Sequence, residues 1–296
     1  MKRIADSIKT LGSFIKFSHT LFAMPFAISS MVIAAREHHG WPGWKTFVLI
    51  IAAMVTARTS AMVFNRIVDR KFDAANPRTA KRELPAGKIS LFTSWIIWLI
   101  SSFLFLVVSY LLNKICFYLA PVALFVICFY SFTKRFTDFT HFFLGLALGL
   151  SPIGAWLAVT GKFSFTPIFL GIIVILWLVG FDIIYSIQDY EFDRTHGLHS
   201  IVVRWGIKNA LIFAFLVHMI MWGLLFLFGV YNRFRFPYLV GCIIILISLL
   251  LEHWLARIRS LKWINLAFFR LNALISIVFM VSVIAEIQFP GFRLRF

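Results

Sequence analysis

The chain has 296 residues, of which 61% are hydrophobic, 18% aromatic and only 14% charged, and its mean hydropathy is +0.89. A surface that apolar excludes a soluble domain. The net charge of +17 is therefore read as the excess Lys and Arg of a membrane protein's cytoplasmic loops, not as a nucleic-acid footprint.

Nine apolar segments, each near the roughly 20 residues that span hydrocarbon, follow one another at about 17–35, 46–65, 91–112, 115–133, 141–160, 167–187, 209–231, 237–256 and 269–289. The expected fold is all-α: a polytopic membrane bundle of nine transmembrane helices, formed by a single domain over 1–296 and partnered by the lipid bilayer. The first segment resembles a leader, since Lys2, Arg3 and Lys9 precede it and Ala34 and Ala35 end it. Its basic lead is long, and His19 and Pro25 interrupt its core, so a retained span is expected. Cys116, Cys128 and Cys242 lie in apolar runs without ligand spacing and are read as packing residues. Nothing in the residues specifies an oligomeric state.

Orientation follows from the cations. With the N-terminus cytoplasmic, 20 Lys and Arg residues fall in inside loops and 8 in outside ones, while Arg58 lies within a helix. That bias predicts N-inside and C-outside.

Two acidic clusters interrupt this pattern: Asn65-Arg-Ile-Val-Asp69-Arg-Lys-Phe-Asp73 and Asp189-Tyr-Glu-Phe-Asp193. They are expected to end the second and sixth helices, on the same side. Spaced i, i+4, the two carboxylates of each cluster share a helical face and repel unless a cation or cationic ligand neutralises them. Four aspartates on facing helix ends suit about two Mg²⁺ ions, which take the rest of their shell from phosphate oxygens and water. With such metals, Arg78 and Arg82 in the polar stretch 66–90 would neutralise a diphosphate. The clusters stand 120 residues apart, which hints at a four-helix repeat. The His residues, His196 and His199 included, lack metal-ligand spacing and are read as structural or surface groups.

Asn65-x-x-x-Asp69-x-x-x-Asp73, then Arg78-Thr79, Arg82 and Leu84-Pro85-x-Gly87, with Asp182-x-x-Tyr185-x-x-x-Asp189-x-x-x-Asp193 and Gly197-x-x-Ser200 later, closely resembles the UbiA-type intramembrane aromatic prenyltransferases. The resemblance implies a nine-helix bundle, dependence on Mg²⁺, a polyprenyl diphosphate donor and an aromatic acid acceptor. It further implies that Asn65, Asp69, Asp73, Asp189 and Asp193 serve the metal, that Asn65, Arg78, Arg82 and Lys134 bind diphosphate, and that Arg58, Tyr130, Lys134, Asp182 and Tyr185 serve the chemistry. Many relatives carry Asn-Asp where this chain has Asn65-Arg66, which removes one potential ligand.

The nearest activity implied is polyprenylation of 4-hydroxybenzoate in quinone synthesis, at the cytoplasmic face of a bacterial inner membrane. Prenylation of a dihydroxynaphthoate in menaquinone synthesis is the close alternative. A cation-coupled transporter would also hold buried charges, but its ion sites lie on broken helices near the midplane, whereas these clusters sit at helix ends beside arginines. Arg58 lies deeper: an intramembrane cation costs about 2.5 to 3.5 kcal/mol on insertion scales and marks a functional position. Seven residues before Asn65 on roughly the same face, it is expected either to dock an acceptor carboxylate or to pair with Asp182.

Overall fold

The computed structural model describes residues 12, 14, 20–257 and 267–289. His19 and several counted cations (Lys2, Arg3, Lys9, Lys16, Arg259, Lys262, Arg293 and Arg295) lie outside them. Nine principal helices follow in order: α1 Thr20–Ala34, α2 Trp44–Ala75, α3 Leu91–Leu112, α4 Lys114–Thr133, α5 Thr140–Thr160, α6 Phe165–Ser186, α7 Ile201–Tyr231, α8 Phe236–Arg257 and α9 Asn272–Gln288. No strand occurs among the described residues. Eight of the helices are long and apolar enough to cross a membrane, and α1 is a shorter apolar helix of 15 described residues. The protein is an integral membrane helix bundle. Large apolar side chains such as Phe103, Phe125, Ile220 and Ile247 cover its outer face, as a hydrocarbon solvent requires.

Caps fix the helix starts. Ser90, Asn113 and Ser200 each accept a hydrogen bond from a backbone N–H of the first turn, those of Thr93, Cys116 and Val203. The Ser200 cap starts α7 eight residues before the expected 209, across a break at Gly206, where φ is 76°. The early turns carry Arg204 and Lys208, which hide the helix from a hydropathy reading. A larger departure is α2, which continues as helix to Ala75 instead of ending near 65. Its polar residues have partners in the protein, so the helix need not dissolve into a loop. The second cluster departs the other way. Between α6 and the six-residue helix Tyr190–Thr195 the chain tightens into a 3₁₀ turn, Ile187–Asp189, so Asp189 and Asp193 do not share one regular helix.

The seam between α5 and α6 organises the centre. A Cβ on Gly149 would stand 2.9 Å from the Gly171 carbonyl oxygen, and one on Gly145 3.0 Å from that of Ile175. Small residues thus let the two backbones approach closely, the usual device where lipid offers no hydrophobic drive. On the far side of α6, Phe26, Trp177, Phe228 and Phe279 form an aromatic core. The Trp177 indole N–H donates to Asn272 Oδ1 at 2.9 Å, satisfying its polar tip.

Candidate active site

One end of the bundle encloses a polar cavity of about 270 Å³ whose wall includes Asn65, Asp69, Asp73, Arg78, Arg82, Lys134, Tyr185, Asp189 and Asp193. The 3.6-residue period of α2 sets Asn65, Asp69 and Asp73 in one stripe facing it. Asn65 Nδ2 donates to Asp69 Oδ2 at 3.0 Å. The opposing wall comes from the end of α6 and the short helix after it. Both acidic clusters therefore open on one space.

Each carboxylate of the first cluster meets cations. Lys134 Nζ lies 3.2 Å from Asp69 Oδ2, and Arg135 Nη2 lies 3.5 Å from Oδ1 while donating to the Val68 carbonyl at 2.8 Å. Arg82 Nη1 donates to Asp73 Oδ1 at 2.6 Å, and the buried Arg66 stands behind Asp73 at 3.6 Å. Arg66 is thus buried in the protein as a counter-charge to Asp73.

Across the cavity, Asp189 Oδ1 accepts from Arg78 Nε at 2.8 Å and from Asn76 Nδ2 at 3.0 Å. Arg78 also donates to the Tyr185 hydroxyl at 3.0 Å and lies over its ring. Burial opposes the Arg78 charge, yet its hydrogen bonds and attraction to Asp189 outweigh that and hold the guanidinium above its ordinary pKa. The loop that carries these arginines starts with a tight turn. Asn76 Oδ1 accepts from the Arg78 backbone N–H at 2.9 Å, and the Thr79 hydroxyl donates to the Asp73 carbonyl at 3.0 Å.

Among the described residues no three His, Cys, Asp or Glu side chains converge tightly enough to enclose a metal ion. The oxygens are nonetheless suited to one. Asp69 Oδ1 and Asp73 Oδ2 are buried and accept no hydrogen bond, with only the longer ion-pair contacts to Arg135 and Arg66, so each has acceptor capacity to spare. That donor set fits a hard divalent cation that completes its shell with a ligand's oxygens and water.

Deeper, the polar cavity reaches Arg58, Tyr130, Leu144 and Leu148, and these same residues line an apolar cavity of about 180 Å³ walled by Ile50, Met54, Phe105, Leu112, Cys116 and Leu157. Arg58 forms no ion pair among the described residues, and its buried Nε has no hydrogen-bond partner. The expected alternative, a pair with Asp182, is not formed. Asp182 Oδ2 meets His141 Nδ1 at 2.6 Å instead, because the α5–α6 seam brings those two positions together.

Several cavity residues escaped the sequence reading. His141 and His199, read from the sequence as structural or surface groups, both line the polar cavity. The available signal for His141 was its place four residues before Gly145 and eight before Gly149 on one face. Asn76 lines the cavity too, in the short polar loop after α2.

The UbiA prenyltransferase family model matches residues 23–274, and the chain belongs to that family. It is 31% identical over 186 residues to a 4-hydroxybenzoate octaprenyltransferase of Vibrio campbellii, a match spanning 62% of this chain and 63% of that relative. A UbiA homolog from Aeropyrum pernix superposes with a TM-score of 0.81 at 29% identity, over 90% of this chain and 98% of the other. One from Archaeoglobus fulgidus, solved bound to GPP and Mg²⁺, gives 0.71 at 20% identity over 93% and 99%.

Proposed function

We propose that the protein, acting as a single intramembrane domain, transfers a polyprenyl group from its diphosphate to the ring of a hydroxylated aromatic acid, with 4-hydroxybenzoate the favoured acceptor. The observation that carries this reading is the meeting of a cation- and carboxylate-lined cavity with an apolar one at Arg58 and Tyr130. A substrate with a diphosphate head and an isoprenoid tail matches that division. The Vibrio relative's activity supports the choice of acceptor.

Asp69, Asp73, Asp189 and Asp193, with Asn65, would hold Mg²⁺. Bound there, the ion would neutralise a diphosphate and stabilise the charge that grows on it. Arg78, Arg82 and Lys134 bind the diphosphate oxygens at the rim, and Tyr185 steadies Arg78. Ile50, Met54, Phe105 and their neighbours take the prenyl tail. Arg58 docks the acceptor carboxylate by charge-assisted hydrogen bonds. When the carbon–oxygen bond breaks, its electron pair leaves with the diphosphate. The Tyr130 ring face, set at the junction, stabilises the allylic cation. The ring carbon ortho to the acceptor hydroxyl attacks it, and Asp182 takes the proton whose loss restores aromaticity.

The cation bias and the bacterial relative together favour the inner membrane of a bacterium, with this cavity facing the cytoplasm. Release of diphosphate by purified protein given Mg²⁺, a polyprenyl diphosphate and 4-hydroxybenzoate tests the reaction class. The Asp189→Asn variant should release almost none, and equal release by that variant would contradict the assignment.

A further inference from the structure

We infer that His141 is a positioning residue for this reaction, holding Asp182 so that its second carboxylate oxygen faces the acceptor; the inference rests on the function proposed above. The seam between α5 and α6 sets the geometry. On α5, His141, Gly145 and Gly149 follow at intervals of four and share a face. On α6, Gly171, Ile175 and Asp182, four and then seven residues apart, also share a face. The contact of Gly149 with Gly171 brings the backbones together, and His141 and Asp182 meet where the seam opens into the polar cavity.

Their contact is short, 2.6 Å from Nδ1 to Oδ2, and the two side chains differ in access. The imidazole is 2% exposed and the carboxylate 20%. His141 Nε2 is buried and has no hydrogen-bond partner. Donation from Nδ1 leaves Nε2 a bare lone pair, cheaper to bury alone than an N–H. A carboxylate oriented by one donated hydrogen bond, in a wall lined also by Arg58 and Tyr130, presents its other oxygen to the space between them.

Chemically, a new carbon–carbon bond has formed and the carbon–oxygen bond to diphosphate has broken before Asp182 is needed. The ring carbon then gives its proton to the free Asp182 oxygen, and the C–H electron pair returns to the ring. His141 keeps its own proton throughout and fixes the direction from which the carboxylate approaches. A misplacement of about 1 Å at such a step costs on the order of 100-fold in rate.

The test compares His141→Leu, which removes the donor, with His141→Asn, which retains an N–H near the Nδ1 position. His141→Leu should lower kcat about 100-fold with the KM for polyprenyl diphosphate unchanged. An acceptor deuterated ortho to its hydroxyl should then show a primary isotope effect larger than in the unmodified enzyme, as proton removal becomes rate-limiting. His141→Asn should recover most of the rate and return the isotope effect toward the unmodified value. Adding His141→Leu to Asp182→Asn should cost little more than Asp182→Asn alone. Folding of each variant is followed by its melting temperature in detergent. The inference is overturned if folded His141→Leu matches the unmodified enzyme in kcat and isotope effect, or if His141→Asn is as impaired as His141→Leu. An unmodified enzyme that prenylates no hydroxylated aromatic acid would instead overturn the function proposed above, and this inference with it.

Discussion

Replacing Arg58 by Met removes a cation from the junction of the two cavities while keeping most of the side chain's length. Its buried Nε has no partner, and the nearby Asp182 is engaged by His141 at 2.6 Å. The substitution thus strands no carboxylate, and the loss of about 3 to 5 kcal/mol that follows breaking a buried ion pair is not expected. The melting temperature in detergent should hold or rise. Binding should change instead. A charge-assisted hydrogen bond contributes about 1.5 to 3 kcal/mol, which corresponds to about a 10- to 150-fold rise in the KM of the aromatic acid. Asp69 lies eleven residues further along α2, about 16 Å by helical rise, so the KM of the polyprenyl diphosphate should stay within about twofold. Saturation series for both substrates, with thermal melts of the same preparations, measure all three quantities. A folded Arg58→Met protein with an unchanged acceptor KM would refute the docking role. A collapse in melting temperature restored by adding Asp182→Asn would refute the absence of an Arg58–Asp182 pair.

The acidic clusters act jointly, so Asp69→Asn and Asp193→Asn should each cut turnover at least about 100-fold while helicity by circular dichroism is unchanged; near-normal product from either would contradict the two-cluster site. Chelation should abolish diphosphate release, and added Mg²⁺ should restore it in an activity titration. Cysteines placed at the exposed Lys81 and His196 should be labelled from the cytoplasmic side and one at the exposed Lys162 from the other, by impermeant reagents on oriented membranes. Gly180→Ala should destabilise the bundle by about 1 to 3 kcal/mol, read as a lower melting temperature, because a Cβ there would run into the His218 ring.

Hydropathy found all nine helices because each is apolar along its length, whether it faces lipid or, like α1, packs inside the bundle, and that property is local to the segment. It misplaced the end of α2 and the start of α7, where Arg66, Asp69, Asp73 and Lys208 look like loop residues but continue helices. Such continuation depends on counter-charges: Arg66 pairs with Asp73 within α2, and Lys134 and Arg135 reach Asp69 from just past the end of α4. The acidic clusters were legible because carboxylates repeated on one helical face are unusual in an apolar chain. The division of roles around Asp182 was not, since its partner His141 lies 41 residues away and is placed by helix packing. Arg58 was conspicuous in the sequence as a charge in a span, yet only the geometry shows that Asp182 is already taken.

The most direct test is the mass of the product formed by purified protein in bilayers with Mg²⁺, one polyprenyl diphosphate, and either 4-hydroxybenzoate or a dihydroxynaphthoate. The account predicts a carbon-prenylated hydroxybenzoate, one equivalent of diphosphate released per product, and loss of both in the Asp193→Asn variant. Product from the naphthoate alone would contradict the acceptor assignment. Intact polyprenyl diphosphate with both acceptors would contradict the prenyl-transfer account itself.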